Sequence, residues 1–66
     1  MDISIEEMEV DIEITTKEIK DYRDELEVLN RNPVENKVRI YFLEGFIRQR
    51  QRFIERVQKL LKEKQK

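Results

Sequence analysis

Residues 30–36 read "NRNPVEN", and this short stretch decides what shape the chain takes. It separates two long segments of helical periodicity and holds the one proline among 66 residues. Proline disfavours the helical conformation at the residue before it, Asn32, so one helix running straight through is disfavoured. The same residues suit a fresh start: Asn32 is a good N-cap, Pro33 fits the first helical position, and Glu35 follows the cap by three. A connection this short between helices of similar length makes an antiparallel hairpin. The spacing predicts helix 1 over about 4–30 and helix 2 over about 33–63, one all-α hairpin domain spanning residues 1–66.

Working outward, Ser4 and Glu7 have the capping-box spacing at the start of helix 1. Ile5, Met8, Ile12, Thr15, Ile19, Tyr22, Leu26 and Leu29 then recur at alternating steps of three and four, a heptad seam broken only at Thr15. Helix 2 repeats the pattern with Ile40, Leu43, Ile47, Arg50, Ile54, Val57 and Leu61, broken only at Arg50. A hairpin turning near 31–33 pairs positions whose numbers sum to roughly 65. Tyr22 then faces Leu43, Ile19 faces Phe46 or Ile47, Ile12 faces Phe53, and Thr15 faces Arg50. The two polar breaks fall at one level. Thr15, Thr16, Gln49 and Arg50 are therefore expected to form a hydrogen-bonded polar layer that fixes register, as a buried Asn does in coiled coils.

Helix 2 carries more apolar surface than one partner helix covers. Phe42, Phe46, Phe53 and Leu60 form a second row beside the seam, and the two together span roughly 160°, against about 100° for a helix facing one layer. Val34, Val38 and Tyr41 widen the arc near the turn. A second copy docking on Phe42, Phe46, Phe53 and Leu60 doubles the core, so the hairpin is expected to dimerise into a four-helix bundle. Gly45, a poor residue for a helix interior, either permits close approach of a neighbouring helix or is a tolerated accident.

The net charge of −1 hides an asymmetry. Residues 1–29 hold eleven acids and three bases, a net of −8, whereas residues 30–66 hold four acids and eleven bases, a net of +7. Opposite signs favour the two helices lying side by side. On the far side of helix 2, Arg48, Arg52, Lys59 and Lys62 form a basic stripe with Lys37, Tyr41 and Lys66; Arg56 flanks it, and Glu44 and Glu55 interrupt it. The stripe is either a solvated face or a phosphate-contacting strip for RNA or DNA. The phenylalanines point to the apolar side and do not interleave with it, which disfavours a base-stacking platform. On helix 1, Ile3, Val10 and Ile14 lie opposite the seam with Val28 nearby, as scattered exposed residues or as a docking patch for another protein.

Several function classes fall away. The chain has no Cys and no His, hence no disulfide, no thiolate or imidazole metal ligand, and no histidine base. It has no nucleophile elbow, Gly-rich phosphate loop or EF-hand spacing, so no catalytic residue, cofactor or metal is expected. The longest apolar run, Ile40–Leu43, is far too short to span a bilayer, and the acidic N-terminus lacks the order of a signal peptide. A cytoplasmic protein is expected. Basic, phenylalanine-rich helix 2 has some features of a membrane-surface helix, but its apolar arc is better used by a dimer. Abundant Glu, Lys, Arg and Ile without Cys also suits a thermophilic source.

A chain of about this length, folded as a helical hairpin that dimerises into four helices, resembles the Rop-like proteins. The likeness covers the whole chain and is architectural. Small hairpin proteins of this kind occur in plasmids and among archaeal spindle-shaped viruses, where adaptor roles have been proposed. In the plasmid members the resemblance implies RNA-duplex binding through a basic and aromatic face built on the first helices. Helix 1 here is acidic and departs from that pattern. The expected function is a non-enzymatic, homodimeric adaptor or regulator that binds another protein. The alternative is a nucleic-acid binder using Arg48, Arg52, Arg56, Lys59 and Lys62.

Overall fold

The structure is a computed structural model that describes residues 4–64. Ser4 starts the first helix: it is extended (φ −70°, ψ 157°), and its Oγ accepts the Glu7 N–H at 3.1 Å, satisfying one of the donors a helix leaves open. Helix α1 runs Ile5–Leu29, with Glu6 and Glu7 in the first turn, where the dipole favours acids. Helix α2 runs Lys37–Lys64 and ends with Lys62 and Lys64, the sign its C-terminus prefers. The two pack as a hairpin measuring 48 × 19 × 14 Å.

The end of α1 closes without a left-handed residue: no described residue has a positive φ. The Asn30 N–H donates to Leu26 O at 2.8 Å, Arg31 N–H to Val28 O at 3.2 Å, and Asn32 N–H to Leu29 O at 3.1 Å. These bonds tighten the last turn and satisfy carbonyls that would otherwise be orphaned. Asn36 adds a side-chain clasp, its Nδ2 donating to Leu29 O at 3.2 Å and to Asn32 O at 3.1 Å.

Helix 2 begins four residues later than 33. Residues 33–36 are turns, although Asn36 N–H does donate to Asn32 O at 3.2 Å, the spacing of one helical turn. Proline suits that turn, but the turn stays separate while Asn36 reaches back to α1. The regular ladder takes over when Ile40 N–H donates to Asn36 O at 2.9 Å.

The core follows the two seams. Met8, Thr15 and Ile19 from α1 and Leu43, Ile47 and Val57 from α2 are buried, and Leu43 is 0% exposed. Ile12, Tyr22, Leu26, Leu29, Ile40, Arg50, Ile54 and Leu61 are half-buried, and Ile5 is exposed at the margin. Register is close to the expected one: Glu25 meets Arg39, Tyr22 meets Phe46, and Glu18 meets Arg50, pairs whose numbers sum to 64, 68 and 68.

Candidate interaction surface

Between the core and one flank lies a four-residue cluster. Glu18 and Tyr22 stand one turn apart on α1, and Phe46 and Arg50 one turn apart on α2. Arg50 Nε donates to Glu18 Oε2 at 3.0 Å. Its guanidinium carbon lies 5.3 Å from the Tyr22 ring centroid and 5.9 Å from that of Phe46; the two rings are 5.8 Å apart. The side chains of Arg50 and Glu18 remain 31% and 41% exposed, so water screens the pair. It contributes roughly 0.2–1 kcal/mol, with a comparable amount from the cation–π contacts. Its main effect is directional, because a guanidinium held by one carboxylate and two rings sets how α2 rotates against α1.

Thr15 is buried and Arg50 half-buried, the two polar breaks expected to form one layer. The hydrogen-bonded partner of Arg50 is Glu18, however, and Gln49 does not join: it is exposed, as is Thr16. Successive helical residues diverge by about 100°, so Gln49 and Arg50 do not enter the same seam. Glu18 escaped the sequence reading because it sits beside the seam rather than in it. The available signal was its spacing, with Glu18 and Tyr22 four apart facing Phe46 and Arg50 four apart. Asn36 was missed because a side chain reaching seven residues back leaves no local pattern.

From the cluster an aromatic row runs toward the turn. Phe46 and Phe42 stack with centroids 6.5 Å apart, and Phe42 meets Tyr41 edge-on at 5.8 Å. Phe46 and Phe53 are half-buried, whereas Phe42 is 51% and Leu60 46% exposed. Val34, Val38 and Tyr41 are exposed too. Two shallow grooves flank the row. One is lined by Tyr41, Phe42, Gly45 and Phe46 with Arg48 and Gln49, the other by Arg56, Lys59, Leu60 and Glu63. A Cβ built on Gly45 meets nothing within 4 Å, so this glycine makes no room for α1.

The charged candidates lie on the solvent side of α2. Arg48, Arg52, Arg56, Lys59 and Lys62 are all exposed, and Arg52, Arg56 and Lys59 line one groove with Gln49 and Glu55. On α1, Val10, Ile14 and Val28 are exposed, and Val10 borders an acidic groove with Glu6, Glu7 and Asp11. Ile3 and Lys66 lie outside the described residues. Among the described residues no cluster of three His, Cys, Asp or Glu is placed to hold a metal ion, and no helix is long and apolar enough to cross a membrane.

The two helices pack against one another as a helical hairpin. No protein-family model matches the chain, and neither a curated protein nor a solved structure does.

Proposed function

We propose that the protein is a non-enzymatic adaptor or regulator that acts as a homodimeric four-helix bundle and binds a partner protein. One observation supports this reading above the others: α2 leaves Phe42 and Leu60 half in water, in line with the half-buried Phe46 and Phe53. The hairpin exposes 5718 Å² for 8.2 kDa. A compact monomer of that mass exposes roughly 4,500 Å², and the excess is larger than the roughly 800 Å² each partner contributes to a standard interface.

Sedimentation equilibrium at micromolar concentration is expected to report about twice the 8.2-kDa monomer mass. Phe46→Asp is expected to dissociate and unfold the protein together, because an unpaired carboxylate in a dry interface is costly. A well-folded, stable monomer would overturn the dimer. The partner surface is assigned to the acidic, apolar outer face of α1, with Val10 and Ile14. Val10→Asp with Ile14→Asp is expected to leave the dimer intact while abolishing association with the protein that co-purifies from native cells. Undiminished association would remove that face from consideration.

A nucleic-acid function is the second reading, supported by Arg52, Arg56 and Lys59 lining one groove. Against it stand Glu55 in the same groove, Glu44 along the stripe, and an acidic α1 alongside that repels phosphate. No duplex binding tighter than roughly 10⁻⁵ M at physiological salt is expected. Submicromolar, steeply salt-dependent binding abolished by Arg48→Ala and Arg52→Ala would reverse the order of the two readings.

A further inference from the structure

The flank of α2 that the hairpin leaves open is self-complementary in one direction only. Phe42, Phe46, Gln49, Phe53, Arg56 and Leu60 follow one another at steps of 4, 3, 4, 3 and 4. At about 100° per residue all six fall within roughly 80° of arc. Such spacing reads the same from both ends in any heptad seam, so the residue types must decide the direction. Matched in parallel, two copies of α2 place Arg56 on Arg56, Arg39 on Arg39 and Glu63 on Glu63. They also bring both basic C-terminal ends together. Matched antiparallel about the middle of the row, Phe42 meets Leu60, Phe46 meets Arg56, and Gln49 meets Phe53. Arg39 and Glu63, of opposite charge, meet beyond the ends.

A twofold interface requires this reciprocity, each residue meeting its counterpart in both copies. The two exposed apolar members of the row, Phe42 and Leu60, then cover one another. The groove beside Phe42 and Phe46 receives the end carrying Arg56 and Leu60, and the reverse holds at the other end. Arg56 faces a phenylalanine ring, an arrangement a guanidinium favours. The alternative of α2 against the second copy's α1 fits less well, since the corresponding flank of α1 offers Glu7, Asp11 and Glu18 beside Ile14. The basic α2 helices do not oppose the pairing as bare charges. Each lies against an acidic α1, which it holds through Arg50–Glu18 and Arg39–Glu25.

We propose that the second copy docks through α2 on α2, antiparallel, with Phe42 against Leu60 of the second copy and the two turns at opposite ends of the bundle. The proposal rests on the dimer put forward above and specifies its geometry. The chain has no cysteine, so single cysteines report on proximity without background. Under mild oxidation a 1:1 mixture of Phe42→Cys and Leu60→Cys is expected to form disulfide-linked dimers roughly tenfold more efficiently than either variant alone, because the bond requires Cα atoms within about 7 Å. Arg39→Cys mixed with Glu63→Cys, outside the apolar row, repeats the test should Phe42→Cys weaken the dimer. Efficient cross-linking of Phe42→Cys to itself, with the unmodified chain dimeric by sedimentation, would overturn the geometry and leave the dimer standing. An unmodified chain that sediments as a monomer would remove both.

Discussion

Leu43 and Phe42 are neighbours in sequence, both large and apolar, on the same helix, yet Leu43 is 0% exposed and Phe42 51%. About 100° of helical rotation separates them, enough to put one in the seam against α1 and the other on the flank beyond it. The seam of α2 has its partner inside the chain, supplied by Met8, Ile19 and the rest of the α1 seam. On the flank, Tyr22 and the Glu18-held Arg50 pack against the Phe46 ring, and Phe42 beyond it stays exposed. Hydrophobic residues are therefore not equivalent carriers of fold information. The row that meets α1 along its whole length specifies the hairpin, whereas the row beside it leaves Phe42 and Leu60 half in water.

The sharpest way to break this contrast is to cut both residues to alanine separately. Leu43→Ala is expected to lower stability by about 2–5 kcal/mol, the range for emptying a fully buried leucine site. That loss should be similar at every protein concentration, and a loss below about 1 kcal/mol in chemical denaturation would mean that Leu43 is not the centre of the core. Phe42→Ala is expected to act through association, removing about 1–2 kcal/mol per chain only where the dimer forms. The unfolding midpoint should rise with concentration in the parent and rise less in the variant. Parallel curves would show that Phe42 is an idle surface residue.

A smaller effect tests the cluster between the two rows. Replacing Thr15 and Arg50 together with Leu is expected to leave the protein folded and within about 1 kcal/mol of the parent or above it, since Glu18 still reaches water. What should change is uniqueness, read as additional oligomers by sedimentation or doubled amide peaks by NMR. A double variant that unfolds would assign Arg50 a role beyond orientation. The smallest expected effect is at Gly45. With open space around its Cβ, Gly45→Ala is expected to raise stability by about 0.5–1 kcal/mol through helix propensity alone. Destabilisation measured by thermal denaturation would place a neighbouring helix hard against that position.

Sequence alone determined the two helices, the break between them and the seam that joins them. Each rests on local or periodic chemistry: Ser4 before Glu7, one proline after an asparagine, and apolar residues every three or four positions. It also marked the two polar interruptions, Thr15 and Arg50, and expected them at one level, whereas Arg50 pairs with Glu18, nearly one turn of α1 away from Thr15. Tertiary structure decided which neighbours those interruptions have. Arg50 takes Glu18 and two aromatic rings rather than Gln49, and Asn36 clasps the end of α1 while α2 waits until Lys37. These choices depend on the rotation of one helix against the other and on a side chain reaching across the turn. Periodicity names the face that a residue occupies, whereas distances between faces exist only once both helices are in place.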